Sequence, residues 1–189
     1  MTRRGETLEL AVLGLLHEHP LHGYELRKRL NVVLGWGRLL SYGSLYPALQ
    51  RMLRAGLIRD QPSAPDTGAA GTRSVPTSRR PRITYEVTDQ GREHFATLMA
   101  DAGPAAWEDD TFDVRFAFFG RIDREIRLRV LEGRRARLEE RLARLRQQVD
   151  GPRDGYTAEL HRHGLELVER EVRWLTDLIT AERGATPTD

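Results

Sequence analysis

Residues 44–56 read SLYPALQRMLRAG, and the spacing of their apolar side chains predicts an amphipathic helix that ends at Gly56. The predicted helix runs from about Ser44 to Ala55, with Pro47 in its first turn, where the missing N–H has no cost. A glycine directly after the last turn is typical of a helix C-terminus. The apolar face consists of Leu45, Ala48, Leu49, Met52 and Leu53.

The opposite side of this helix carries side chains that suit DNA. Gln50 and Arg51 offer paired hydrogen-bonding groups that match base edges, whereas Ser44 and Tyr46 suit phosphates. A polar face on an isolated helix is more often a solvated surface, so this interpretation depends on the neighbouring elements.

The elements around this helix have a recognisable order. Two helices are predicted before it, one ended by Pro20 and one ended by the glycines around Trp36. After it, residues 57–59 and 83–87 read as strands, and Thr88 caps a fourth helix. Residues 7–103 therefore predict a winged helix-turn-helix, in which the third helix is exposed to the major groove of DNA.

The segment between the two strands, residues 61–82, holds four prolines, two glycines and four arginines. Arg80 and Arg82 lie beside the second strand, and we expect them to meet phosphates or the minor groove. Arg73 and Arg79 stay undecided, because a mobile polar linker explains them equally well.

The second half of the chain predicts a helical hairpin. Gly103-Pro104 marks a boundary between residues 1–104, the predicted DNA-binding domain, and residues 105–189, the predicted dimerisation domain. Apolar residues alternate at spacings of three and four over 123–149 and 157–182, with Arg135 at the one polar position of the first seam, and a turn at 150–155 separates the two helices. The predicted fold is therefore mostly α.

A second apolar stripe on the last helix predicts a homodimer. One partner helix cannot cover both stripes, so the surplus is expected to face a second copy of the chain. This surplus stripe consists of Leu160, Leu167, Trp174 and Leu178.

An aromatic cluster lies where the two predicted domains join. Trp107, Phe112 and Phe116 are candidates for a pocket that binds an effector, because pockets occur preferentially at domain junctions. Ordinary core packing is the open alternative.

Composition and motifs limit the function classes. The chain of 189 residues has no cysteine, and no stretch looks like a signal peptide or a membrane span, so we expect a soluble, cytoplasmic, nucleoid-associated protein. Residues 1–104 carry 14 basic and 10 acidic residues, against 16 and 18 in residues 105–189, so a polyanion is expected to meet the N-terminal half. His17, His19 and His22 lack partners for a metal site. No catalytic residue, metal or cofactor is predicted, and we expect no enzyme activity.

Several motifs resemble those of PadR-family transcriptional regulators. The most specific is Leu45-Tyr46-Pro47-Ala48-Leu49 in combination with the Gly56-Leu57-Ile58 that follows it. The others are His22-Gly23-Tyr24-Glu25-Leu26, Ser41-Tyr42-Gly43 before the third helix, Arg80-Pro81-Arg82, and Tyr85-Glu86-Val87-Thr88-Asp89-Gln90-Gly91. The helical second half is similar to that of the longer subfamily.

The resemblance implies a dimeric repressor, or in some members an activator, that binds an inverted-repeat operator and is released by small aromatic compounds or hydrophobic drugs. It places Tyr24, Ser44, Tyr46 and Arg51 where family members touch DNA, and Arg80 and Arg82 in the wing. The excursion at 61–79 is longer than most family wings. The alternatives are a helical protein–protein interaction module and an enzyme acting on a small aromatic compound, for which the sequence shows no catalytic constellation.

Overall fold

A computed structural model describes residues 3–33, 42–62, 83–147 and 154–184. These residues contain seven α-helices and three strands. The helices are α1 (Arg3–Leu16), α2 (Gly23–Val33), α3 (Tyr42–Arg54), α4 (Asp89–Ala100), α5 (Asp109–Ala117), α6 (Arg124–Gln147) and α7 (Gly155–Gly184). The strands are β1 (Leu21–His22), β2 (Ile58–Pro62) and β3 (Ile83–Val87), and short 3₁₀ helices cover Pro104–Trp107 and Phe119–Arg121.

The winged helix-turn-helix and the helical hairpin predicted from the sequence are confirmed. The three strands form one antiparallel sheet in the order β1-β3-β2, with Leu21 opposite Tyr85 and Arg59 opposite Glu86. The strand β1 is absent from the prediction because two residues are too short to show an alternating pattern. The fold is mostly α, as expected.

Helix α3 begins earlier than predicted. It starts at Tyr42 rather than near Ser44, so Pro47 lies inside the helix, in its second turn. The prediction that Pro47 occupies the first turn is therefore wrong. Because proline has no N–H, the helix lacks the hydrogen bond that residue 47 would otherwise donate to the carbonyl of residue 43.

The core of the N-terminal part forms around α1. This helix is buried nearly all round, which explains its almost continuous apolar run between Leu8 and Leu16. Gly14 leaves room for the ring of Phe118, which would overlap any Cβ at that position. Phe118 in turn packs edge-on against Phe95 of α4, with ring centroids 5.8 Å apart.

The described residues separate into two compact units. The N-terminal unit contains those of 1–99 together with 113–118, and the C-terminal unit contains those of 100–112 and 119–189. Helix α5 contributes to both units. The predicted assignment of residues 1–104 to DNA binding and of residues 105–189 to dimerisation stays a prediction.

The C-terminal unit is built on the antiparallel pair α6 and α7. The predicted seam of α7 has Val168, Leu175 and Ile179 buried, whereas its other two members, Leu165 and Val172, are half-buried. In α6 Arg134 is buried, whereas Arg135, the polar seam position that the sequence predicts, is half-buried. Spacings of three and four both keep a residue on one helix face, and Arg134 is the position that finds acidic partners on other elements.

None of the helices in the described ranges is both long enough and apolar enough to cross a membrane.

Candidate nucleic-acid interface

Helix α3 presents the polar face predicted for it. Leu45, Ala48, Leu49 and Met52 are at most 1% exposed, which fixes the orientation of the helix on the N-terminal unit. All four predicted DNA-contacting residues of this helix are exposed: Ser44, Tyr46, Gln50 and Arg51. Their contact with DNA stays a prediction, but their side chains are accessible to it.

The C-terminal end of α3 is fixed to the rest of the unit. Gly56 has a φ of 70°, and its N–H donates to the carbonyl of Leu53 at 3.1 Å while the N–H of Leu57 donates to Met52 at 3.0 Å. This is a Schellman cap, as the glycine predicts. The Thr88 hydroxyl contacts the carbonyl oxygens of Gly56 and Leu57 at 2.6 and 3.0 Å.

Thr88 also caps α4, as predicted. Its Oγ1 accepts a hydrogen bond from the N–H of Gly91 at 3.0 Å. Gly91 cannot carry a side chain here, because a Cβ would overlap the carbonyl of Leu57. The start of α4 and the end of α3 are thus held together, which limits rotation of the exposed face of α3.

The side chain of Tyr46 lies beside the start of α2. Its Oη is 3.6 Å from the position that a Cβ would take at Gly23, and the ring of Tyr85 is 3.5 Å from the same point. Tyr85 is buried in β3, and burial, with smaller contributions from Tyr46 and Asp60, raises the pKa of its hydroxyl. The exposed face of α3 therefore continues directly onto the first turn of α2.

Tyr24 occupies that first turn and is 66% exposed. The guanidinium of Arg27 lies 5.9 Å from the centre of its ring, within the range of a cation–π contact. An exposed aromatic ring with a polar tip and a basic neighbour can contact a phosphate, and the role that the resemblance implies for Tyr24 stays a prediction.

The wing strands carry a polar outer face. Arg59 Nε donates to Glu86 Oε2 at 3.0 Å across β2 and β3, and His22 Nδ1 lies 2.9 Å from Thr84 Oγ1 across β1 and β3. Arg80 and Arg82, together with Arg73, Arg79 and the rest of the excursion at 63–82, lie outside the described residues. Their predicted role is therefore untested.

The histidines near the N-terminus lie among ordinary partners. The ring of His17 packs against Phe95 with centroids 5.4 Å apart, and His22 contacts Thr84. In the part of the chain that the structure describes, no group of three histidine or acidic side chains could hold a metal ion.

The three aromatic residues predicted to bind an effector do not belong to one unit. Trp107 and Phe112 lie in the C-terminal unit, whereas Phe116 lies in the N-terminal unit. Phe112 is 1% exposed and packs edge-on against Phe119 and Trp174, each with a centroid distance of 6.4 Å. Trp107 donates its indole N–H to the carbonyl of Ala102 at 3.1 Å and covers Gly133. Their role in ligand binding stays a prediction.

Arg134 of α6 connects the aromatic segment around Trp107 to the α6–α7 hairpin through hydrogen bonds. Its guanidinium donates to Glu171 Oε1 at 2.7 and 3.0 Å and to the carbonyl of Trp107 at 2.8 Å, and it also contacts Asp109. It lies 5.2 Å from the ring centre of Phe112. For Asp109, burial acts to raise the pKa, but the contact with Arg134 and the nearby arginines outweigh it and lower the pKa overall. The sequence could have indicated Arg134 only as one of two adjacent arginines.

The predicted dimerisation stripe is partly exposed. Leu160, Leu167 and Trp174 are 72, 47 and 41% exposed, and Leu178 is half-buried. The buried seam residues Val168, Leu175 and Ile179 lie on a different side of α7, so this stripe is not the one that closes the hairpin. Contact with a second chain is untested.

These features define the N-terminal unit as a winged helix-turn-helix with an accessible third helix, a class that binds DNA. Residues 12–97 match the sequence profile of the family described as "Transcriptional regulator PadR-like family". This match confirms, for residues 12–97, the resemblance to PadR-like transcriptional regulators that the motifs show.

Comparison with solved structures finds chains that are similar over most of their length. Bacillus subtilis PadR in complex with operator DNA is 18% identical, with 93% of this chain and 98% of that chain covered and a TM-score of 0.44. Bacillus subtilis PadR in complex with p-coumaric acid is 18% identical, with coverages of 94 and 99% and a TM-score of 0.41. The protein smu.1604c from Streptococcus mutans UA159 is 21% identical, with coverages of 91 and 98% and a TM-score of 0.41. A search of curated proteins found no match.

Proposed function

We propose that this chain is a transcriptional repressor that binds an inverted-repeat operator as a homodimer. The observation that carries the proposal is the exposed polar face of α3, held in place by the buried side chains of Leu45, Leu49 and Met52 and by the Schellman cap at Gly56. In a winged helix-turn-helix the third helix is the element that enters the major groove.

Each exposed residue has a defined task in this proposal. Gln50 and Arg51 read base edges, because amide and guanidinium groups form paired hydrogen bonds with purines. Ser44, Tyr46 and Tyr24 contact phosphates and fix the register of α3 in the groove. Arg80 and Arg82 of the wing add phosphate or minor-groove contacts. The two-fold symmetry of a dimer sets two half-sites about one helical turn apart.

A titration of promoter-fragment binding against salt concentration tests the proposal. A repressor of this kind shows a steep salt dependence and prefers one inverted repeat over unrelated DNA. A shallow slope without sequence preference would instead support a helical protein–protein interaction module.

The variant Arg51→Ala tests the role of α3. We expect it to weaken operator binding by about 1–3 kcal/mol and to relax the preference at one base position, because one bidentate base contact is lost. Arg80→Ala provides the contrast: it weakens binding to every sequence and flattens the salt dependence. An equal loss on all sequences for Arg51→Ala would show that Arg51 touches phosphate only.

We further propose that a small aromatic compound releases the operator, with Trp107, Phe112 and Phe116 as the residues that respond to it. The aromatic side chains and the resemblance support this part of the proposal. Because Phe112 is already packed, binding requires its ring to move, which would couple the ligand to the hairpin. Repeating the salt titration with p-coumaric acid tests release, and unchanged operator affinity would argue against this compound as the effector.

A further inference from the structure

Helix α2 exposes one continuous stripe beside the candidate DNA-binding face. Leu26 and Leu30 are fully buried, so α2 presents a fixed side outward. That side carries Tyr24, Lys28 and Val32, which are all exposed and follow one another at a spacing of four residues. Residues four apart lie on the same helix face, one turn above the other. The stripe begins next to Tyr46, since Tyr46 Oη approaches Gly23.

The three consecutive basic residues of α2, Arg27, Lys28 and Arg29, differ in the contacts that their charged groups make. Arg29 donates to Glu25 Oε1 at 3.0 Å and lies 3.8 Å from Glu18, and Arg27 lies over the ring of Tyr24. Lys28 forms no hydrogen bond and no ion pair with any residue that the structure describes. The hydrogen bond from Arg29 is the main cause that lowers the pKa of Glu25, and Lys28 contributes only a weaker attraction at longer range.

An unpaired ammonium on this stripe matches the backbone of DNA. Lysine is a compact point charge on a flexible stem, which suits a phosphate contact that carries no base information. Lys28 lies one helical turn along from Tyr24, so a strand that passes Tyr46 and Tyr24 continues toward it. Arg27 and Arg29 are less available for this task, because each already contacts a side chain of α2.

We propose that Lys28 is a further phosphate contact and that it extends the DNA-binding surface from α3 along the exposed stripe of α2. This inference rests on the proposed function. It concerns binding strength and not sequence preference, because a phosphate contact is the same at every base pair.

The first test measures the salt dependence of binding to a mixed-sequence duplex. Lys28→Gln removes the charge, and we expect the slope of log K against log salt to become shallower by about 0.9 for each Lys28 engaged. When the salt concentration rises from 50 to 200 mM, both proteins lose affinity for the duplex. For each Lys28 contact that is removed, the factor by which Lys28→Gln loses affinity should be roughly threefold smaller than that of the unmodified protein. Lys28→Arg keeps the charge and is expected to keep the slope.

The matched control is Arg92→Gln, which removes one exposed positive charge from α4 in the same unit. If Lys28→Gln leaves the salt slope unchanged, the proposal is overturned, because Lys28 then contacts no phosphate. If Arg92→Gln makes the slope shallower by the same amount, the proposal is also overturned, because a general loss of charge then explains the result. If the unmodified protein shows no salt-dependent binding to DNA at all, the proposed function itself fails. The two failures are therefore distinguishable.

A second test uses the fact that Lys28 is the only lysine in the chain. Acetylation by an N-hydroxysuccinimide ester forms an amide at Nζ and releases N-hydroxysuccinimide, so the ε-amine label reports on this residue alone. We expect the duplex to slow the labelling of Lys28 several-fold, as measured by mass spectrometry. Equal labelling rates with and without bound duplex would overturn the contact.

Discussion

Gly133 lies in the middle of α6, where glycine normally weakens a helix. The structure supplies the reason for its presence. A Cβ at this position would overlap the indole of Trp107, whose N–H is itself held by the carbonyl of Ala102 at 3.1 Å. The close approach of a large ring to a helix backbone is possible only at a residue without a side chain.

The substitution Gly133→Ala should therefore destabilise the protein, although alanine is the better helix former. Overpacking costs about 1–3 kcal/mol, which outweighs a gain of about 1 kcal/mol from helix propensity. Urea unfolding measures the change in the free energy of unfolding. Gly155→Ala, at an exposed position with nothing within 4 Å, is the control and should be neutral or slightly stabilising.

The same substitution in a Trp107→Ala background isolates the contact. There Gly133→Ala should no longer destabilise, because the overlapping ring is gone. Destabilisation of equal size in both backgrounds would mean that the packing of Trp107 on Gly133 is not the cause.

Residues whose structural role depends on hydrogen bonds within their own segment could be predicted from the sequence. Gly56 and Thr88 were assigned as caps because each acts on hydrogen-bonding groups of its own segment. Arg134 shows where this reasoning stops. Spacing alone cannot choose between two adjacent arginines, and the choice depends on Glu171 and Asp109, which belong to other elements.

At the scale of elements, long periodic segments were predictable and short or shared ones were not. Strand β3 and the buried face of α3 agree with the prediction, since alternation and helical periodicity are visible over their length. Strand β1 consists of two residues and exists through its pairing with β3. For the segment of α5 the sequence indicates only an aromatic cluster and not a helix. The helix shows no single apolar face, because its residues are divided between two units.

The N-terminus of α7 gives a prediction at this scale. Asp154 Oδ1 accepts hydrogen bonds from the N–H groups of Tyr156 and Thr157 at 3.0 and 2.9 Å, and Oδ2 accepts one from the Thr157 hydroxyl at 2.8 Å. The hydrogen bonds from Thr157, backbone first, are the main cause that lowers the pKa of Asp154. A carboxylate at this position also interacts favourably with the helix dipole.

The pKa of Asp154 is lower in the folded state than in the unfolded chain, so the ionised carboxylate stabilises the fold. This contribution is fully present at pH values above the ordinary aspartate pKa of about 4. It is lost as the pH falls through the folded-state pKa. Asp154→Asn keeps a capping side chain but does not titrate. We expect the stability advantage of the natural protein over Asp154→Asn, measured by urea unfolding, to shrink as the pH is lowered below about 4. A difference that is constant with pH would contradict the assignment.

At the scale of the whole molecule, the proposed operator requires two copies of the chain. Leu160, Leu167 and Trp174 recur every seven residues on α7 and remain exposed beside the closed seam with α6. A stable dimer buries about 800 Å² on each partner, so this stripe would be the apolar centre of a larger interface. The sequence predicts both the stripe and a second copy of the chain as its partner, but it does not predict the rest of the interface, because one chain shows only which surface is left over.

Leu167→Glu tests this arrangement, because it places an unpaired charge at the centre of the proposed interface. We expect the dimer Kd to rise by about tenfold or more, as measured by sedimentation equilibrium. Thr180→Glu adds the same charge to an exposed position on the opposite side of α7 and should leave the dimer intact. Binding to a complete inverted repeat should weaken with the loss of the dimer, whereas binding to a single half-site should not change. If Leu167→Glu remains dimeric, or if both variants dissociate equally, the two copies do not meet through this stripe.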